Sequence, residues 1–388
     1  ISSEMEEISN LLPSQSGDEG RITKWVALSL KSRAMLYAAS IANFGNEQLD
    51  GLLGFPSEEA QLYYKKSLDA SREIIQSGVF ALYNEEPDPV ENFNNLFIDE
   101  NGNPEIIFSE KYDYDAGKSH QWDALAQPAG FGFNWSSNYT VYLETLEQFD
   151  FIDGKSGKMD RSIFDDSTPI DPNIFFEQRD PRMRASIFYP GSSFKGGTVF
   201  FHRSMAGSKA GWPKNGPSKL TGSLATGLLI RKRTNPSTPD ASRSSTDYII
   251  YRLGEIYLNY VEAAYYLGDP NGDMVNVMNE IRNRAGMPSL SNIEITESKI
   301  RQERRCELAF EDHVFWDLRR WRIAVEELDN VRRHRLHYRY NANNNTYTME
   351  MADGDVGGIR LHPERNYYYA LGLNRLADNP KLVENPGY

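Results

Sequence analysis

Apolar and small residues recur at helical spacing over residues 21–43, where Ile22, Trp25, Val26, Leu28, Leu36 and Ile41 are interleaved with Ala27, Ala34, Ala38, Ala39 and Ala42. The alanines let a second helix approach closely. Residues 58–77 supply that partner: Ser57 is placed to cap it, Glu58 and Glu59 fall in its first turn, and Gly78 can close it in the left-handed conformation. A second hairpin is predicted over 255–285. Leu258, Val261, Glu262 and Tyr265 in its first helix, and Met274, Met278 and Ile281 in its second, keep tetratricopeptide spacing on either side of Gly268-Asp269-Pro270. Residues 296–321 read as one more helix, with Thr296 as N-cap and neither proline nor glycine to interrupt it. Charges on neighbouring turns (Arg304 with Glu307, His313 with Asp317, Asp317 with Arg320) are mixed there with Leu308, Phe310, Phe315, Trp316 and Trp321. A segment so apolar and so charged is expected to pack on several sides with its ions paired, because an unpaired buried charge is very costly. Arg304, Glu307, Glu311, Asp317 and Arg320 are therefore assigned a structural role.

The texture changes over 84–246, where prolines and glycines are frequent. Short strands are predicted at 105–109 and 198–201 and a short helix at 139–149. The tail from 329 is predicted to be irregular, with a basic, aromatic patch at 332–340. These patterns give a mainly α fold: a tetratricopeptide-like helical superhelix carrying a large loop-rich ligand-binding region with a few short strands. The scaffold is expected over 1–83 and 247–328, the ligand region over 84–246, and a C-terminal segment packed on the scaffold over 329–388.

The 388 residues hold 42 Lys and Arg against 55 Asp and Glu, and the net charge of −13 disfavours nucleic acid and anionic membrane. One cysteine, Cys306, excludes a disulfide framework and is expected to be a small buried hydrophobe. The 22 tyrosines, 19 phenylalanines and 6 tryptophans are many for an acidic chain, and their rings suit sugars or aromatic ligands. Trp122, Trp135 and Trp212 fall in the loop region beside amides, acids and other polar groups. This is the composition of a sugar site, although pinning a loop to the core is the commoner role of any single one. His202 and Arg203, before a glycine-rich run at 204–216, are candidates for a ligand-facing rim. His334 and His337, three apart in a basic stretch, lack the spacing of a metal site. Acids in the glycine-rich stretches 153–160 and 353–355 would accept calcium, but neither stretch matches the twelve-residue calcium loop, so no cofactor or metal is predicted. No phosphate-binding loop, dinucleotide fingerprint or nucleophile elbow occurs.

Four ordered motifs carry a family resemblance: YRLGEIYLNYVEAAY at 251–265, IRNRAGMP at 281–288, the ER, ELAFE and FWDLRRW elements between 303 and 321, and the terminal NPGY. Together they resemble the SusD/RagB family of glycan-binding lipoproteins. In place of that family's aromatic-proline run, this chain has Tyr-Tyr-Tyr-Ala-Leu-Gly at 367–372. The resemblance implies a non-enzymatic, outward-facing protein of the outer membrane that captures oligosaccharides or polysaccharides and delivers them to a SusC-like TonB-dependent transporter. It also implies an export signal and a lipidated cysteine upstream of Ile1 as the sole membrane attachment. Two other readings stay open on the residues alone: an all-α glycoside hydrolase or lyase using a carboxylate pair, and a helical-repeat scaffold that binds only a protein partner.

Overall fold

The computed structural model describes the chain except residues 16–19, 101, 132–137, 200, 205–225, 342 and 356, and gives the backbone alone at 202–204. The chain opens with α1 (Ser2–Leu11), α2 (Lys24–Phe44) and α3 (Ala60–Gln76). α2 and α3 pack closely because small residues line their contact: Ser32 Oγ lies 2.8 Å from Ser71 Oγ, and Ser67 Oγ donates to the Ser32 carbonyl at 2.8 Å. Gly78 closes α3 with φ +65°. Ser57 is not its cap; a 3-10 turn over Ser57–Glu59 precedes the α-helix and no side chain caps it.

Short elements follow: α4 (Pro89–Asn95), β1 (Ile106–Glu110), α5 (Trp122–Ala126), α6 (Leu143–Leu146), α7 (Pro181–Ser186), β2 (Ile187–Phe188), β3 (Ser193–Phe194), β4 (Gly197–Thr198), β5 (His202–Ser204) and β6 (Leu229–Ile230). The helix expected over 139–149 shrinks to the four residues of α6; of the strand expected over 198–201, residue 198 ends β4 and residue 200 lies outside the described residues. Asp88 and Asp180 cap α4 and α7, each ahead of a proline at the first helical position, where the missing N–H costs nothing.

The chain then returns to long helices: β7 (Tyr248–Arg252), α8 (Leu253–Tyr266), α9 (Met274–Arg284), α10 (Glu297–Glu307), α11 (His313–Arg320) and α12 (Ala324–Leu328), before β8 (His334–Asn341), β9 (Thr346–Asp353) and α13 (Leu373–Asp378). Thr296 caps α10 as expected, accepting from the Lys299 N–H at 3.2 Å. The single helix expected over 296–321 is, however, two helices. Phe310 and Asp312 take left-handed backbone, φ 62° and 64°, and turn the chain between α10 and α11. The reason is electrostatic. In a straight helix Arg304 and Asp317 would be about 20 Å apart along the axis, whereas Arg304 Nε lies 2.8 Å from Asp317 Oδ2 with both groups buried. The turn also leaves Phe315 and Trp316 exposed, at 41% and 51%, rather than packed.

The tail is not irregular throughout: among its described residues 334–353 is regular, whereas 354–388 is largely the irregular chain expected, apart from α13 and a 3-10 turn. β8 and β9 form an eight-residue antiparallel hairpin, from His334 opposite Asp353 to Asn341 opposite Thr346. Leu336 and Tyr338 alternate with charged residues along β8 and are buried, so the basic patch is a half-buried strand.

Among the described residues a small hydrophobic cluster gathers around Phe93 and Phe97, and two larger ones organise the rest. One joins α2, α3, α8 and α9 through residues such as Leu36, Tyr64, Ile256, Tyr260 and Met278. The other gathers the loop region on the C-terminal hairpin, through Phe149, Phe176, Phe188, Tyr338 and Met349, and reaches α10 at Cys306, which is buried with a free thiol. This is the mainly α, tetratricopeptide-like architecture expected from the spacing. Among the described residues no helix is long and apolar enough to cross a membrane.

Candidate ligand-binding site

Beneath the loop region lies a buried ionic cluster. Arg252 at the end of β7 donates to Glu105 and Glu307, each at 2.7 Å, and to Glu311 at 2.8 Å. Arg284 pairs with Glu105 and Glu307; Arg182 with Asp180, Glu303 and Glu307; Arg282 with Glu303; and Lys232 with Glu311 at 2.6 Å. Five bases meet five acids, which lets charges this deep stay ionised. Burial alone would raise Glu311, but Arg252 and Lys232 outweigh it and hold its carboxyl at about 2. Burial brings the Lys232 ammonium down to about 8 despite Glu311.

Lys232 couples this cluster to the surface. Its ammonium also donates to the carbonyls of Glu307 and Ala309, both at 3.0 Å. Its own carbonyl accepts the Trp122 indole N–H at 3.2 Å. The next residue, Arg233, has left-handed backbone with φ 64°, so its side chain leaves the cluster and stacks outside. The Arg233 guanidinium carbon sits 4.2 Å from the Trp122 ring centre and 4.5 Å from that of Tyr248. Tyr139 stacks on Trp122 at 4.8 Å with the planes 20° apart.

These groups line a cavity of about 260 Å³, completed by Tyr112, His120, Gln121, Leu125, Thr246 and Asp247. Two hydrogen bonds fix the imidazole of His120: Nε2 donates to the Thr246 carbonyl at 2.7 Å, and Nδ1 accepts the Trp122 backbone N–H at 3.2 Å. Tyr112 stands edge-on to His120 at 4.6 Å. Asp247 accepts from Lys111 Nζ at 2.6 Å and from the Tyr112 N–H at 3.1 Å, so its charge is matched. A second cavity of about 540 Å³ shares Thr246 with the first and is walled by Asp99, Glu100, Asp113, Tyr114, Asp240 and Arg243, among others. Buried Asp123 braces the loop between the cavities, accepting from Asn235 N–H and Thr238 Oγ1 at 2.8 Å each.

Of the five ligand-binding candidates from the sequence, Trp122 lines this cavity, at the first residue of α5 rather than in an open loop. With Tyr139 and Arg233 stacked on it, it presents an aromatic and guanidinium assembly rather than a bare indole. Trp135, Trp212 and most of the glycine-rich run at 204–216 lie outside the described residues. The backbone of His202 and Arg203 runs parallel to β8, opposite Tyr338 and Arg339, and their side chains lie outside what is described. Arg233, Tyr139, Tyr112, His120 and Tyr248 were not singled out from the sequence. The one available signal was the Arg-Lys-Arg-Thr run at 231–234, four polar residues directly after the apolar 228–230. In the stretches considered for calcium, Asp153 is paired with Lys155 at 2.5 Å and Asp355 with Arg360 at 2.8 Å. Among the described residues no group of three potential ligands could hold a metal.

The SusD family model matches residues 104–388, and the chain belongs to that family. A SusD-like protein of Bacteroides fragilis is 25% identical with a TM-score of 0.75, over 100% of this chain and 70% of that one. A second B. fragilis structure, described as a SusD-like carbohydrate binding protein, is 21% identical with a TM-score of 0.69, over 98% and 69%. Surface glycan-binding protein A from Bacteroides fluxus is 21% identical with a TM-score of 0.54, over 100% and 68%. No curated protein sequence matches the chain.

Proposed function

We propose that the chain is a non-catalytic glycan-capture protein, lipid-anchored on the outer face of a bacterial outer membrane, that passes oligosaccharides to a SusC-like TonB-dependent transporter. The observation that carries the reading is the cavity at Trp122, where aromatic rings stand beside polar groups at Gln121, Arg233 and Thr246. Sugars are held in this way: C–H faces lie on rings while hydroxyls take hydrogen bonds from the edges. Hydrolysis by two carboxylates needs a second acid facing the first across the scissile bond. Among the described lining residues of this cavity Asp247 is the sole carboxylate, and Lys111 holds it. That supports binding over turnover. Family membership supports the location and the transporter partnership.

Affinity electrophoresis of the purified chain through gels containing a panel of neutral and acidic polysaccharides tests the binding step, with a Trp122→Ala, Tyr139→Ala double variant run beside it. Retardation by at least one glycan, lost in the variant, is expected, with no reducing ends released on prolonged incubation. Retardation that survives in the variant would remove this cavity from the account, and steady release of product would make the protein an enzyme. Co-purification of the full-length lipoprotein with a co-expressed SusC-like transporter tests the delivery step.

A further inference from the structure

The Arg233 guanidinium lines the Trp122 cavity, its carbon 4.2 Å and 4.5 Å from the Trp122 and Tyr248 ring centres, yet no described residue gives it a hydrogen bond or an ion pair. Three other ionisable groups around the cavity are satisfied. Asp247 has Lys111 and the Tyr112 N–H, His120 is fixed by Thr246 and Trp122, and the Tyr248 hydroxyl donates to Asp312 at 2.7 Å. Arg182, Arg252, Arg284 and Arg320 are paired with carboxylates, and Arg179 is held by the carbonyls of Phe149, Gly157 and Phe175. Arg233 has neither kind of partner among the described residues, and it lines a cavity. A guanidinium packed against aromatic rings loses freedom of movement while its N–H groups stay able to make two parallel bonds to a carboxylate. Burial disfavours its charge, as its lowered pKa reflects, and an incoming anion would relieve that cost.

On this basis, and resting on the glycan-binding reading above, we infer that the cavity selects a uronic acid, with the sugar carboxylate received by Arg233 and the ring lying against the neighbouring tyrosines. The adjoining cavity sets a limit on the rest of the ligand. Its wall carries Asp99, Glu100, Asp113, Asp115 and Asp240, with Arg243 as the single base among its described lining residues and already beside Asp240 at 3.3 Å. A densely charged polyanion running across both cavities would be repelled there, while an oligosaccharide with one uronate flanked by neutral sugars would not. The preferred ligand is therefore a sparsely acidic glycan.

The test uses the whole chain and defined probes: sodium glucuronate and galacturonate, their methyl esters, glucose and galactose, and tetragalacturonate as the polyanion. Binding is read at the Trp122 indole N–H resonance, assigned with Trp122→Phe, in wild type, Arg233→Gln and Arg233→Lys. Uronates are expected to bind at least tenfold more tightly than their esters or the neutral hexoses. Arg233→Gln should abolish that preference, Arg233→Lys should restore part of it, and tetragalacturonate should gain nothing over the monomer. Equal binding of esters, neutral sugars and uronates to wild type would overturn the uronate proposal and leave the glycan reading standing. If no sugar perturbs Trp122 at all, this cavity fails as a glycan site and the proposal fails with it. The wild-type comparison of acid with ester decides the matter even if a variant does not fold.

Discussion

Arg320 and Glu262 face each other as a bidentate pair with both side chains almost wholly removed from solvent, Arg320 Nη2 lying 2.7 Å from Glu262 Oε2. The Trp321 indole N–H donates to the same carboxylate at 2.8 Å, while Arg320 also donates to Asp317 at 2.8 Å and to Ser40 Oγ at 2.7 Å. One carboxylate on α8 thus fixes where α11 lies and ties it to α2. Removing Arg320 leaves Glu262 as an uncompensated buried ion, and removing Glu262 leaves Arg320 paired with Asp317 alone and the Trp321 N–H without its acceptor, a loss of roughly 3–5 kcal/mol at most in either case. Glu262→Gln and Arg320→Met should each lower stability to denaturant by that order, and the double variant by much less than the sum. Additive losses in the double-mutant cycle would show that the pair is not coupled.

Gly254, in the first turn of α8, is constrained by close approach rather than by backbone angle. A Cβ there would lie 2.2 Å from Arg252 Nη1 and 2.8 Å from Glu105 Oε1. Helix propensity alone makes Gly254→Ala stabilising by up to about 1 kcal/mol. Displacing a guanidinium that holds Glu105, Glu307 and Glu311 should reverse the sign, for a net loss of about 2 kcal/mol or more. A thermal midpoint at or above that of wild type would contradict this account of the cluster.

Acid should weaken the fold in two stages. His313 is buried, its Nδ1 3.4 Å from Arg304 Nη2, and burial brings its pKa down to about 4 despite Glu255. Because the folded value lies below the unfolded value of about 6.5, the unfolded chain binds the extra proton, so stability is complete above pH 6.5 and declines as pH falls towards 4. Asp317 and Glu255 are both held at about 2, where burial, which would raise them, is outweighed by Arg304 and Arg320 for the first and by Arg33 and His313 for the second. Their contribution persists above the unfolded carboxylate value of about 4 and is lost below it. Denaturation midpoints measured from pH 7 to 3 should show a shallow decline and then a steep one, and His313→Gln should flatten the first. An unchanged slope between pH 6.5 and 4 in that variant would exclude His313 as its source.

What could be read from the chain follows from how local each signal is. The α2/α3 hairpin was legible because small residues and a 3.6-residue period are written within its helices, and the α8/α9 hairpin because apolar residues keep that period on either side of Gly268-Asp269-Pro270. The break between α10 and α11 was not, since it is imposed by Arg304 reaching Asp317 and by Glu262 receiving Arg320, and nothing at Phe310 or Asp312 marks a turn. β8 was missed because histidines and arginines hid the alternation of Leu336 and Tyr338. At the cavity, Trp122 was visible as a loop aromatic beside polar neighbours. Arg233 was not, because its role depends on Lys232 being drawn inward by Glu311, a residue 79 positions away.

The same dependence gives the last prediction. Trp122 is placed by a single indole hydrogen bond to the Lys232 carbonyl and by stacking against Tyr139 and Arg233. Trp122→Phe keeps a ring but loses the hydrogen bond, typically worth about 0.5–1.5 kcal/mol, so glycan affinity should fall by roughly two- to tenfold. Trp122→Ala also removes the surface on which Arg233 stacks, so the loss should exceed tenfold, with the denaturation midpoint changing far less than in Glu262→Gln because Trp122 is only half-buried. Lys232→Met should weaken binding too, although it never touches the ligand, because without the ammonium the segment is no longer drawn onto Glu311 and the Trp122 acceptor loses its position. Titrating all three variants with the glycan identified by electrophoresis, beside denaturant curves, separates the effects. If Lys232→Met binds as tightly as wild type, the buried cluster is not what positions the cavity.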